Sequence, residues 1–183
     1  MKRFLYSFLL CLIVSILLTG CGLNNNKLNV TTNDSKSSCE VIDCINQIKV
    51  ENTVDEIKNI IGFDGELTDE KYNKYYWKLS EDEGVEVTYY SSDKGTIKIY
   101  FDKNSVANKN VDFSKYQEIK SLLDNGTSLT YNEFVSKVGG IEGTLIEKSA
   151  YSKKYIWVNL DGGYLNASFS ETSGKCTIVT GRY

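Results

Sequence analysis

The chain has 183 residues, 24 acidic and 21 basic, for a formal charge of −3, and it contains neither histidine nor proline. That length suits one ordinary domain or two small ones, and the acidic balance gives no footing for nucleic acid. The missing histidine excludes Ser-His and Cys-His catalytic pairs and every imidazole metal site.

In chain order, Lys2 and Arg3 precede an apolar run from Phe4 to Leu18, too short for a comfortable membrane span. The run ends Leu18-Thr19-Gly20-Cys21, which resembles the lipobox of bacterial lipoproteins. The resemblance implies a signal peptide over 1–20 and a diacylglyceryl group on Cys21. Two acyl chains would hold the mature protein on the cell membrane, facing the extracytoplasmic side. Loss of Lys2 and Arg3 would take the formal charge from −3 to −5. Residues 21–38 are rich in Asn, Ser and Thr and too polar to order themselves, so they read as a flexible tether. Beyond the tether three cysteines remain, Cys39, Cys44 and Cys176, an odd number that allows one intramolecular disulfide at most. Cys39 and Cys44 could pair only if Cys39 precedes the helix that follows, because i and i+5 do not face each other.

From Cys39 to Lys49 the apolar residues Val41, Ile42, Ile45 and Ile48 recur at helical spacing. Thr53 with Glu56 forms a capping box for a helix over 54–61 that stops at Gly62. Asp64, Glu66, Asp69 and Glu70 read as ionised surface carboxylates in a polar loop. The period then becomes two: Tyr75, Trp77 and Leu79, then Val85, Val87 and Tyr89, then Ile97, Ile99 and Phe101, with turns at 81–84 and 93–95. After a polar link over 104–110 the order recurs. Tyr116, Ile119, Leu122 and Leu123 mark a helix, Thr130 and Glu133 a second capping box, and Gly139-Gly140 a stop. Strands are expected at 143–149, 155–160, 164–170 and 176–180. The early landmarks are offset by 77 (Thr53 to Thr130, Gly62 to Gly139) and the later ones by 80 (Trp77 to Trp157), so three residues enter after Gly139.

The expected fold is α+β: two tandem repeats, 39–105 and 106–183, each a helix-loop-helix packed on its own antiparallel sheet of three or four strands. Trp77 and Trp157 read as core residues in preference to binding hot spots. The opposite face of the first sheet carries Tyr76, Tyr90 and Tyr100 among Lys74, Lys78, Glu86 and Lys98, which makes it the preferred recognition surface. In the second copy Ile156, Val158 and Leu160 lie opposite Trp157 and point to a partner site or to packing between repeats. The Glu81-Asp82-Glu83 run reads as a solvated turn without the ligand spacing of a calcium loop, and neither metal nor cofactor is expected.

The helix pairs INQIKVENTVDEIKNIIG and YQEIKSLLDNGTSLTYNEFVSKVGG resemble the β-lactamase inhibitor protein family and the related SmpA/OmlA (BamE-like) lipoprotein domains. The sheet stretches YYWKLSEDEGVEVTYY and GTLIEKSAYSKKYIWVNLDGGYLNASF carry the same likeness. It covers roughly 40–183 and implies a non-enzymatic binder that works through exposed sheet faces and hairpin tips. In the inhibitors an acidic hairpin residue enters the target's pocket, which places Asp82 in that role, with Tyr164 as a loose equivalent of an aromatic plug. The paired cysteines of the secreted inhibitors are not reproduced. The expectation is therefore an anchored protein-binding, inhibitor-like module for an envelope or secreted protein, not an enzyme. The alternative is a structural lipoprotein bracing an envelope assembly, as BamE-like domains do.

Overall fold

A computed structural model describes residues 38–90 and 94–182. The signal segment, the lipobox at Cys21 and nearly all of the tether lie outside the described residues, as does the Cys39 side chain.

Helix α1 (Ser38–Gln47) buries Val41, Cys44 and Ile45, and contains both Cys39 and Cys44. Helix α2 (Val54–Ile61) is too short to hold alone and is fixed at both ends. Its capping box is complete: the Glu56 amide donates to Thr53 Oγ1 at 3.3 Å and the Thr53 amide to Glu56 Oε2 at 2.9 Å. At the other end Gly62 takes φ +99°, a left-handed cap that glycine adopts without strain. Strands β1 (Glu66–Asp69), β2 (Lys74–Lys78), β3 (Gly84–Thr88) and β4 (Thr96–Tyr100) follow. A 3-10 turn (Lys103–Val106), capped by Asp102, leads to α3 (Tyr116–Asp124) and α4 (Tyr131–Lys137). Strands β5 (Thr144–Lys148), β6 (Ser152–Val158), β7 (Tyr164–Ser170) and β8 (Cys176–Arg182) complete the described chain.

The eight strands form one continuous antiparallel sheet in the order β1 to β8, not two separate sheets with a helix pair each. The junction is the β4–β5 pair, whose register is Ile97↔Lys148 and Lys98↔Glu147. Two features seal it. Helix α1 lies across β3, β4 and β5, and the Lys148 ammonium of β5 donates to the Ile45 carbonyl in the last turn of α1. A cation suits that end of a helix dipole, although burial lowers the Lys148 pKa. Separate sheets would have left β4 and β5 as exposed edges, and pairing them removes both.

A second correction concerns 66–69, expected as loop. These residues pair with β2 as an edge strand, with a bulge between Leu67 and Asp69. The acidic, mostly exposed composition hid a strand held by backbone bonds.

All four helices among the described residues pack on one face. Beneath them lie two apolar clusters. One contains Ile45, Ile48, Ile57, Ile61, Trp77, Val85, Val87 and Ile97. The other contains Ile119, Phe134, Val138, Trp157, Leu165 and Phe169. Each tryptophan is clamped the same way. The Trp77 indole N–H donates to the Phe63 carbonyl at 3.1 Å, and that of Trp157 to Ile141 at 2.7 Å. A Cβ on Gly65 would come within 2.5 Å of the Trp77 ring, and one on Gly143 within 2.6 Å of Trp157. Gly143 follows Gly65 by 78 positions. One of the three inserted residues therefore precedes Gly143, and the other two lengthen the β5–β6 hairpin.

Candidate protein-recognition face

Strand alternation sends every second side chain to the face without helices. The register sets Tyr76 opposite Glu86, Glu86 opposite Lys98, and Gly84 opposite Tyr100. Because Gly84 has no side chain, the Tyr76 ring lies down over its backbone, and a Cβ there would meet Tyr76 Oη at 2.2 Å. Tyr76 then meets Tyr100 edge to face, with ring centroids 6.0 Å apart. The Tyr100 hydroxyl donates to Glu86 Oε2 at 3.1 Å, and Lys74 Nζ lies 3.6 Å from Glu86 Oε1. Thr68, Asp69, Lys74, Tyr76, Glu86 and Tyr100 enclose a shallow groove of about 450 Å³.

Burial, then the neighbouring Glu86 carboxylate, pushes the Tyr100 hydroxyl up to about 12, and the same two causes raise Tyr76. Both phenols therefore stay neutral at ordinary pH and offer ring area with a polar tip. The described carboxylates with shifted acidity, Glu56, Asp112, Glu118 and Glu133, lie outside this groove. All four are held below their usual range, Glu118 by Lys137 and the others chiefly by backbone amides. They act as acceptors in caps and ion pairs.

Of the three tyrosines expected to share a surface, Tyr76 and Tyr100 meet in one groove, and Tyr90 does not line it. Tyr90 lies beyond the end of β3, 66% exposed, edge-on to Tyr72 at 6.1 Å. The strand whose alternation made it a candidate ends at Thr88.

Asp82 is exposed at the tip of the β2–β3 hairpin, but Glu83 beside it is buried, contrary to the solvated turn expected there. The reason is phase: Glu83 falls in step with Val85 and Val87, on the helix side, and its carbonyl receives the Leu79 and Ser80 amides. Asp82 borders a second pocket, of about 270 Å³, with Ile99, Phe101, Lys103, Ile156 and Asn166 among its walls. It occupies the seam where the β4–β5 ladder stops. Tyr164 on β7 approaches the same place, with Lys103 Nζ 4.2 Å from its ring centroid. Tyr100 lines both concavities. Ile156 and Val158 are buried, and the link after β4 reaches them, with the Asn108 amide donating to the Val158 carbonyl at 2.9 Å. Leu160 stays 67% exposed.

Sequence reasoning missed Lys103 and Asn166. Lys103 sits in a link with no periodicity to give it a face. Asn166 follows the outward phase of β7, yet its Oδ1 is buried without a hydrogen-bond partner.

Among the described residues no group of three Cys, Asp or Glu side chains is placed to hold a metal, and no helix is long and apolar enough to cross a membrane. The chain matches no protein-family model, no curated protein and no solved structure. The likeness to β-lactamase inhibitor proteins and BamE-like domains thus rests on the sequence pattern alone.

Proposed function

We propose that the chain is a membrane-anchored, extracytoplasmic protein-binding module that engages an envelope or secreted protein with the helix-free face of its sheet. The observation that carries this reading is the Tyr76–Tyr100 pair, with the Tyr76 ring over Gly84 and Tyr100 edge-on to it, beside the Lys74–Glu86 ion pair. Aromatic rings held against a sheet give contact area at small entropic cost, and the charges around them supply orientation. The Asp82 hairpin and Tyr164 extend the surface across the seam. In an inhibitory mode Asp82, exposed on its tip, is the group that enters a target's pocket.

The test is capture of envelope and secreted proteins by the intact, detergent-solubilised chain. Two double variants are run beside it: Tyr76→Ala/Tyr100→Ala, and Tyr72→Ala/Tyr90→Ala as a surface control. The expected outcome is a partner held by the parent and by the control, and lost by the Tyr76/Tyr100 variant with its circular dichroism unchanged. A partner that stays bound to both variants sinks the proposed groove, and loss with Asp82→Ala alone would shift the centre of binding to the seam.

A further inference from the structure

The two edges of the sheet are built differently. The β1 edge is four residues long, carries Glu66 and Asp69, and is broken by a bulge. Each of these features discourages another strand from adding. The β8 edge is longer and lacks acidic residues, and its bulge sits at its start, where Thr177 is the extra residue between the Ser168 and Phe169 pairings. It runs from Cys176 to Arg182 and carries no charge before Arg182. At its start Leu129 and Thr130 occupy the outer side, through the Cys176 amide to the Leu129 carbonyl at 2.7 Å and the Thr130↔Lys175 bridge. From Thr177 onward, among the described residues, strand pairing is to β7 alone. Ile178 and Thr180 lie on the helix-free face, and Ile178 is 59% exposed.

We propose that β8 is a pairing edge for a second copy of this chain, which adds its own β8 antiparallel and continues the sheet through a two-fold axis. This goes beyond the groove described above and uses a different surface. The sequence of the strand selects the occupant. With the axis at Val179, Ile178 of each copy faces Thr180 of the other, a cross-strand pair of β-branched side chains. Val179 meets its own counterpart, and the bulged Thr177 stands outside this regular run. No charged side chain stands opposite a like charge, because Arg182 falls beyond the paired run. A two-fold contact closes after two copies. Pairing of β8 with β1 of another copy would instead set the strand against a short, bulged, acidic edge and grow without closing.

Sedimentation equilibrium of the intact chain in density-matched detergent tests this, beside Ile178→Lys/Thr180→Lys. The parent is expected to move from monomer to dimer as concentration rises. The lysine variant, which places like charges across the axis at exposed positions, should remain at half the dimer mass with unchanged circular dichroism. If the lysines disturb folding, oxidative cross-linking of Ile178→Cys/Thr180→Cys reads the same contact, and a dimer band above the parent's background is expected. A parent that stays monomeric at every concentration overturns the proposal, as does a dimer that tolerates both lysines. A ladder of ever larger species overturns the two-fold and indicates head-to-tail addition.

Discussion

The two halves of the sheet agree on one face and differ on the other. Facing the helices, the same devices recur: a Thr-x-x-Glu capping box, a bulge after the first strand's second residue, and an indole bonded to a backbone carbonyl beneath a glycine. Side chains there have changed: Ile57 of the first half corresponds to Phe134, Val54 to Tyr131, and Val87 to Ala167. The first core is mainly aliphatic around Trp77. The second is an aromatic stack in which Phe134 meets Trp157 at 4.9 Å and Tyr131 meets Tyr155 at 4.7 Å. On the far face little is shared beyond Lys74 and Lys154: the first half presents Tyr76, Glu86 and Tyr100, while the second buries Ile156 and Val158 beside the connecting link. The face that makes the fold constrains geometry, and the other is free to acquire a partner.

The sharpest way to break this comparison is to empty one core. Trp157→Ala is expected to cost about 3–5 kcal/mol, the usual range for deleting a buried tryptophan. Because α1 spans the junction, urea unfolding should stay a single transition, with the fluorescence of the remaining Trp77 moving together with the far-ultraviolet signal. A fluorescence change that lags behind would mean that the halves unfold separately and that the continuous sheet couples them weakly. Next in size come the clamps. Gly65→Ala and Gly143→Ala should each cost about 1–3 kcal/mol, because the added methyl meets a ring fixed from behind. Clearly unequal midpoint shifts in urea would show that the clamps are not equivalent. Gly84→Ala has as close a clash, with Tyr76 Oη, but on the helix-free face. Tyr76 can swing away, so the expected result is lost partner capture at a smaller stability cost than either clamp variant.

Much of the helix face was legible in the residues, because capping boxes, glycine stops and alternation are local signals. The α2 limits, both boxes and the core tryptophans follow from them. The number of sheets was not legible. Two residue pairs join β4 to β5, and nothing in TIKIY or TLIEK states which edge each strand will meet. Strand β1 was hidden for a related reason: a polar edge strand is held by backbone bonds and shows no apolar period. On the helix-free face, alternation put Tyr76 and Tyr100 on the side of the sheet where they are found, but could not tell that Tyr90 continues past the strand. Nor could it tell that Glu83 keeps the inward phase of Val85. Lys103 reached the seam through tertiary geometry alone.

The caps give a smaller, matched test of the shared face. Thr53→Ala and Thr130→Ala should each cost about 1 kcal/mol in thermal or urea unfolding. The partner carboxylates add a pH dependence of known sign. Backbone bonds from Thr53 and Thr130 hold Glu56 and Glu133 below the ordinary glutamate value of 4.5. Their stabilisation is complete above that value and is lost as the pH falls through the lowered folded-state values. Glu56→Gln/Glu133→Gln should therefore flatten the acid limb of the stability curve while leaving the neutral region less affected.

The finest distinction between the faces lies at high pH. Tyr89 and Tyr100 are both pushed up to about 12, chiefly by burial, but they serve different ends. The Tyr89 hydroxyl donates to the Asn52 carbonyl at 2.5 Å and ties the α1–α2 loop to the sheet. Tyr100 bonds only the surface carboxylate of Glu86. A raised folded-state value means that the fold favours the neutral phenol. The stabilisation is full below pH 10, the ordinary tyrosine value, and is lost as the pH rises through about 12. Absorbance titration at alkaline pH should show Tyr89 and Tyr100 among the late phenols, and Tyr89→Phe or Tyr100→Phe should each remove one. Tyr89→Phe is expected to lower stability by about 1 kcal/mol through the lost hydrogen bond. Tyr100→Phe should change it less, yet weaken partner capture, since its hydroxyl and Glu86 belong to the proposed recognition groove. If Tyr89→Phe weakened capture as much as Tyr100→Phe did, the division between a face that folds and a face that binds would fail.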